Sequence, residues 1–448
     1  MTKTRTFVAI ALLTVCLSPA EGSSTNRVPS LPTWGEAVGR AELDAWIAAA
    51  MVAAPSLDAA ERAVRVEAAG GRAARSGRWP DLTLEGDLRA GRRNTAMTGG
   101  ETLDVESVAA RASAAWDLDV FGRVRAEVGA ARFAELAADH RRRDRRIAFA
   151  ADMAEAYVLG RLWNDRLRIR DEAVAAHDAL VRYADGRMKV GLALPAERDR
   201  LEAERQAARQ QRVHAQEEIS DLDARWRYLV PEYEAPDLHS LGGLSSAEPV
   251  SAPPETAIHA YAVNRPDVLA AHALWQAAGE GARGAARNRL PTVSAIVTAE
   301  GEGPSPVDEP EAWTAWAGVR LSLPVLAPGR SAQVNIRREE AHIQEALFEE
   351  TVALAIRDIR QAYARRLHAE QAWRAAQVSA DRLRESFESF KRQFEQGRVP
   401  VPTVERAKLD WLASEEAMRV RYAEVLLRQV DLVRACGGPT DTALHSGN

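Results

Sequence analysis

Two cysteines are too few to hold a fold together. Cys16 lies in the first stretch of the chain and Cys436 near its end, which excludes a disulfide framework and a cysteine-built metal site. Also missing, beyond the N-terminal stretch, is any run of the roughly 18 to 20 apolar residues that a membrane-spanning helix needs. Strands or lipid are then the remaining routes into a bilayer. A strong charge of one sign is absent as well: the formal net charge is −5, whereas a dedicated nucleic-acid binder needs a concentrated positive surface. The basic run His140-Arg141-Arg142-Arg143-Asp144-Arg145-Arg146 sits inside a helical pattern and reads as a solvated helix face. The nine histidines show no metal-ligand spacing, and neither a glycine-rich phosphate loop nor a G-x-S-x-G elbow occurs. Nothing here argues for an enzyme or a cofactor.

Proline is missing from Arg123 to about Asp185, where only Gly129 and Gly160 interrupt, and both proline and glycine are missing from Arg330 to about Gln396. Some 60 residues at ~1.5 Å each make a helix of ~90 Å, far beyond the ordinary length of about 10 to 14 residues. In the second rod Ile343, Leu347, Leu354, Val378, Leu383, Phe387, Phe390 and Phe394 fall at threes, fours and their sums, a narrow apolar stripe suited to a coiled-coil layer. Each rod ends at a glycine turn, Val190-Gly191 or Gln396-Gly397. Pro195, Pro400 and Pro402 then open the returning helices, where proline costs little.

What is present begins with a targeting signal. Lys3 and Arg5 precede the apolar run Phe7 to Val15, and Ser18-Pro19-Ala20 supplies small residues for cleavage. Leu13-Thr14-Val15-Cys16 resembles the bacterial lipoprotein box, with Val15 where a small residue is usual. Lipidation of Cys16 and cleavage after Ala20 both stand open.

The chain then repeats itself. Trp79-Pro80-Asp81-Leu82 is answered by Leu290-Pro291-Thr292-Val293, Phe121-Gly122-Arg123 by Pro328-Gly329-Arg330, Ala156-Tyr157 by Ala362-Tyr363 and Gly191 by Gly397, at an offset of roughly 206 to 211 residues. Each copy reads as short helix, strand, polar loop, strand, very long helix, turn, long helix. In the strands Leu82, Leu84 and Leu88 alternate with Thr83, Glu85, Asp87 and Arg89, and Val108 to Val120 alternates with Arg111, Ser113, Asp117 and Asp119. The second copy sets Val293, Ala295, Val297 and Ala299 against Ser294, Thr298 and Glu300, and Trp313 to Leu323 against Thr314, Arg320 and Ser322. A period of two gives each strand one apolar and one polar face, at about the length of a tilted membrane strand, roughly 9 to 11 residues. Four strands cannot close a barrel, since about eight are needed. A spanning chain must therefore oligomerise, and three copies would supply twelve strands.

The expected organisation is a signal peptide over 1–20, a lead segment over 21–40, a first repeat over 41–230, a linker over 231–255, a second repeat over 256–437 and a tail over 438–448. The first repeat holds a β-hairpin at about 81–120 and a helical hairpin at about 122–229. The second holds them at about 291–325 and 330–435.

Trp116-Asp117-Leu118-Asp119-Val120-Phe121-Gly122-Arg123, Asn264-Arg265-Pro266-Asp267-Val268, Leu321-Ser322-Leu323-Pro324 with Pro328-Gly329-Arg330, the two Ala-Tyr pairs and the glycine turns together resemble the TolC-like outer-membrane efflux proteins, especially their lipoprotein-type branch. The match covers nearly all of the mature chain. The resemblance implies a mainly α fold with transmembrane β: a homotrimer whose twelve-stranded outer-membrane barrel, four strands per chain, continues into a periplasmic helical coiled-coil tunnel. It further implies the outer-membrane channel of a tripartite efflux or type I secretion system, docked to a periplasmic adaptor and an inner-membrane pump, most readily of the RND type, and a passive duct for drugs, metals or other small molecules. By position after the turn glycines, Asp199, Arg200, Glu405 and Arg406 are the residues expected at the periplasmic aperture, with Gly191 and Gly397 at the docking tips. At the position of Arg406 the family often carries an acid. An adaptor protein of the same pumps, or an exported coiled-coil scaffold, is the alternative reading.

Overall fold

The computed structural model describes residues 30–94, 102–229, 241–244, 252, 254–303 and 312–439. The signal over 1–20 with Cys16, and most of the lead, linker and tail, lie outside them. In chain order the elements are α1 (Trp34–Val38), α2 (Glu42–Ala53), α3 (Pro55–Ser76), β1 (Asp81–Asn94), β2 (Thr102–Asp117), α4 (Arg123–Lys189), α5 (Pro195–Leu229), a 3-10 turn (Glu255–Ala257), α6 (Ile258–Asn264), α7 (Pro266–Arg287), β3 (Thr292–Gly303), β4 (Ala312–Ser322), α8 (Pro328–Glu395) and α9 (Val401–Ala435). The two copies match almost residue for residue in their helices: α3 and α7 have 22 residues each, α4 has 67 and α8 has 68, and α5 and α9 have 35 each.

The strands depart from this parity and from the expected boundaries. β1 and β2 hold 14 and 16 residues against 12 and 11 in β3 and β4. The first pair runs on through part of the stretch read as loop, with Gly91 opposite Val105 and Asn94 opposite Thr102; ladder hydrogen bonds join backbones and do not require an apolar face. The lead also contains a helix. α1 starts where Thr33 and Glu36 cap each other, the Thr33 hydroxyl accepting from the Glu36 N–H at 3.1 Å and the Thr33 N–H donating to Glu36 Oε2 at 2.9 Å.

All four strands form one antiparallel sheet in the order β1-β2-β3-β4. The register places Leu82, Ala114, Val297 and Ala317 in one row and Leu84, Ala112, Ala299 and Ala315 in the next, on a common face. The other face carries the row Glu85, Arg111 and Glu300, where Arg111 Nη2 lies 2.9 Å from Glu300 Oε1 and Nη1 lies 3.9 Å from Glu85 Oε2. Within one chain the apolar face is bare: Leu82, Leu84, Leu88, Trp313, Val319 and Leu321 are 68% to 80% exposed.

β2 ends at Asp117 rather than Val120, and the resemblance motif explains why. The Asp117 carboxylate accepts the Asp119 N–H at 3.0 Å and pairs with Arg123 at 2.7 Å. Asp119 takes the left-handed φ of 46°, which Asp tolerates better than most residues. Its two oxygens then accept the backbone N–H groups of Val124 at 2.8 Å and Arg125 at 3.0 Å, satisfying donors that the first turn of α4 leaves open. The motif is a strand-to-helix corner.

Two compact units divide the chain. One comprises 61–141 and 269–350, with the sheet, and its buried residues include Val124, Ala126, Ala273, Val334 and Phe348. There Trp275 stacks on Phe348 at 5.7 Å, with His272 against both rings. The other comprises 1–60, 142–268 and 351–448. Its core gathers Trp34, Leu43 and Ile47 with Met153, Tyr157, Trp226, Trp373, Tyr422 and Leu426. In this unit the buried seam of α8 runs Ala355, Ile359, Ala362, Arg366, Ala369, Trp373, Ala380 and Phe387, a three-four spacing of mostly small residues. Of the expected stripe, Phe387 joins it; Ile343, Leu347, Leu354, Val378 and Phe394 stay exposed.

Asp119→Ala deletes both cap bonds and puts alanine at a left-handed φ. We expect it to cost about 1 to 2 kcal/mol, seen as a lower thermal transition, while Asp119→Asn retains most of the native value.

Candidate functional site

Both glycine turns are closed by the same pair of backbone hydrogen bonds, and in the first Arg187 Nη2 also donates to Leu192 O at 2.7 Å. Gly191 has φ 75° and Gly397 φ 68°. In the first, Leu192 N–H donates to Arg187 O at 2.8 Å and Gly191 N–H to Met188 O at 3.0 Å; in the second, Arg398 N–H donates to Gln393 O at 2.9 Å and Gly397 N–H to Phe394 O at 2.8 Å. This is the Schellman pattern, which needs a left-handed residue at its turn. Their side chains differ: the first tip exposes Val190, Leu192 and Leu194, and the second carries Arg398 and Pro400.

The four aperture candidates sit in the second turns of α5 and α9. Asp199 is exposed and lies 3.4 Å from Arg198, and Arg200 is exposed and 3.7 Å from Glu204. Arg406 is exposed and lines a groove of about 330 Å³ with Leu383, Ser386, Phe390, Pro402 and Asp410. Glu405 is half-buried. Burial pushes its carboxyl above the ordinary value, opposed by Lys408 and Arg182. Among the described residues no ion pair joins one of these four to another within the chain.

A denser cluster was not anticipated. Arg166 and Arg170 on α4 hold Glu416 on α9 at 2.8 and 2.5 Å; Arg168 holds Glu415 at 3.1 Å; Arg419 lies 3.5 Å from Glu415 and 3.8 Å from Asp165. Asp165, Glu415 and Glu416 are buried. Burial raises the Asp165 carboxyl and Arg419 opposes the rise. In sequence the signals were the alternating Arg166, Arg168 and Arg170 against the adjacent Glu415-Glu416, a pairing invisible until the two helices meet. Removing one partner of such a pair strands a buried charge.

Among the described residues no three His, Cys, Asp or Glu side chains gather as a metal ion requires, and no single helix is long and apolar enough to cross a membrane. Cys436 caps the end of α9, buried, its thiol pushed up to about 12 by desolvation, which removes the thiolate on which reactivity depends.

Comparison with known proteins gives these features their setting. The outer membrane efflux protein family matches residues 46–225 and 257–438, one match on each copy of the repeat. The chain belongs to the outer membrane efflux protein family. Among curated relatives, the solvent efflux pump outer membrane protein SrpC of Pseudomonas putida is 22% identical over 387 residues, covering 82% of this chain and 79% of its own. Among solved structures, the CmeC outer membrane channel of Campylobacter jejuni superposes with a TM-score of 0.79 at 17% identity, covering 94% of this chain and 90% of its own. The open state of the MtrE outer membrane channel of Neisseria gonorrhoeae gives 0.76 at 18% identity, covering 93% of each chain. An outer membrane efflux protein with this fold resides in the cell outer membrane, and its bare apolar sheet face and long helices are what that setting calls for. The family is that of the efflux channel, not of the adaptor.

Two tests follow from the tips. Gly191→Ala and Gly397→Ala each force a Cβ into a left-handed conformation and are expected to cost about 1 kcal/mol apiece, read as faster hydrogen exchange confined to the mutated turn. Because the Glu405 carboxyl is raised, its contribution is full below the ordinary carboxyl range and is lost as pH rises through the raised value. Protection factors at the α9 start, corrected for the intrinsic base-catalysed exchange rate, should therefore fall as pH rises, and Glu405→Gln should flatten that dependence.

Proposed function

We propose that three copies of the chain assemble into a twelve-stranded outer-membrane barrel continuing into a helical tunnel, the passive exit duct of an efflux system. The observation that carries this reading is the sheet. Among the described residues no strand covers the outer edge of β1 or of β4, and one face is bare and apolar. In hydrocarbon an open edge costs several kcal/mol for each unmet backbone group, so the edges must be met by other copies. With the apolar face outward, the row Glu85, Arg111 and Glu300 faces a water-filled lumen. Exposed Ile343, Leu347, Val378 and Phe394 fit surfaces that a neighbouring helix covers.

The helix turns at Gly191 and Gly397 form the periplasmic end and dock to an adaptor, which joins the duct to an inner-membrane pump of the RND type. Energy comes from the pump, and the chain itself does no chemistry. The cargo is a class of small molecules, as the solvent-exporting relative suggests. At the aperture a threefold axis turns Asp199, Arg200, Glu405 and Arg406 into rings of three like charges, which repel unless acid meets arginine across helices. The groove beside Arg406 and the partial burial of Glu405 favour the second-repeat pair as the closing one. Cys16 remains the candidate for a lipid anchor.

Cell fractionation and planar-bilayer recording test the assembly: a trimer in the outer membrane that conducts supports it, and a soluble periplasmic monomer refutes it. Glu405→Ala and Arg406→Ala trimers are expected to pass more current in the closed state. An unchanged closed-state current removes these residues from the gate.

A further inference from the structure

Between the two repeats, residues 241–244 lie against α4 and α9 with every carbonyl engaged. Asn164 Nδ2 donates to Leu241 O at 2.9 Å, and Arg161 Nε donates to Gly242 O at 2.8 Å. Arg161 Nη2 donates to Gly243 O, and Arg419 Nη1, from α9, donates to Leu244 O. In the opposite sense, the Leu244 N–H donates to Asp165 Oδ2 at 2.8 Å. Four side chains thus read a short stretch of backbone, as a peptide-binding site does. Leu244 fills the hole beyond it, 4% exposed within the core, with Leu241 packed alongside.

The site also selects its sequence. A Cβ on Gly243 would stand 2.1 Å from Asp165 Oδ1, while a Cβ on Gly242 would meet nothing within 4 Å. Asp165 has no easy retreat, since its carboxylate holds the Leu244 N–H and lies 3.8 and 3.9 Å from Arg419 and Arg168. Arg161, 5% exposed, is itself fixed by the Tyr157 hydroxyl at 3.2 Å, which donates to Glu42 of α2 at 2.9 Å.

We infer that Leu241–Leu244 is the ligand of a peptide-backbone site built by Arg161, Asn164 and Asp165 of α4 with Arg419 of α9, and that this clasp fixes the spacing between the two repeats' helices. The helices contribute the receptor, one from each repeat, and the linker contributes the pin. Without the pin, Asp165 and Arg161 face each other's surroundings with unmet hydrogen-bonding groups, a cost that separates the helices or admits water. The clasp acts within one chain and does not rest on the channel reading.

Gly243→Ala and Gly242→Ala in the full-length protein separate the clasp from a generic glycine effect, in detergent and without any transport assay. Two readouts are needed: hydrogen exchange over 241–244, and the distance distribution between spin labels at Ala175 and Asp410, with labelled chains diluted into unlabelled ones. Gly243→Ala is expected to exchange at least about tenfold faster, the loss of one buried hydrogen bond, and to broaden the α4–α9 distance. Gly242→Ala should match the native protein in both. Should Gly243→Ala fail to accumulate, Leu244→Ala, which empties the anchor hole but keeps Gly243, is expected to show the same two changes. Native exchange in the substituted protein, or fast exchange with an unchanged distance distribution, overturns the clasp.

Discussion

A β-sheet inside hydrocarbon cannot keep an open edge, and among the described residues this one has two. Backbone N–H and C=O groups along β1 and β4 have no water to turn to in a bilayer, so the sheet is a fragment whose completion lies in other chains. The rest of the molecule follows from that incompleteness. The apolar face can stay bare because lipid covers it, the polar face can carry Arg111 between two acids because water fills the other side, and the corner at Asp117–Arg123 converts β2 into α4 at a fixed place. One side chain, Asp119, does most of that conversion by capping α4.

Although the helices of the two repeats agree in length, their polar and aromatic contacts differ, beside a small apolar cluster of Leu180, Val181, Ala184 and Leu201 in the first hairpin. α4 and α5 are zipped by charges: Arg198 to Asp185 at 3.3 Å, Arg205 and Arg209 to Asp178 at 3.4 and 3.5 Å, and Arg212 to Asp171 at 2.5 Å. α8 and α9 meet through rings, Phe387 stacked on Trp411 at 5.3 Å and Trp373 against Tyr422 at 5.3 Å, with Arg366 bonded to Gln429 in the buried seam. Half-exposed ion pairs are worth little each and weaken with salt, whereas stacked rings keep their contact area in any electrolyte. The duplicated hairpins have the same outline and unequal sensitivity to salt.

Much of this was legible in the residues. Alternation in Leu82, Leu84 and Leu88 against Glu85 and Asp87 gave the strands and their faces, and the missing prolines gave the rods, because those signals are local. The buried seam of α8 was not legible: it is made of alanines with Arg366 among them, and the apolar residues that draw the eye, Ile343 and Val378, point away from the chain's own core. The Arg166-Arg168-Arg170 cluster and the Leu241–Leu244 clasp were hidden for a related reason. Their partners lie about 80 to 250 residues away, and nothing in either segment announces the other. At the turns the opposite held, since a glycine at the end of a long helix can be read without tertiary knowledge.

The pairing of β2 with β3 has a consequence in time. Arg111 and Glu300 stand side by side though 189 residues separate them, and the whole of α4, α5, α6 and α7 lies between. Loop closure over such a span is slow compared with the winding of a helix or the folding-back of a hairpin. The helices of the first repeat can therefore wind while β2 still lacks β3, but the buried faces around Met153, Tyr157 and Trp226 stay open until α8 and α9 bring Trp373 and Tyr422. An emerging chain must shelter an uncovered helix seam and a sticky ribbon at once, which makes the interval before the second repeat arrives the period when the protein is most exposed to aggregation.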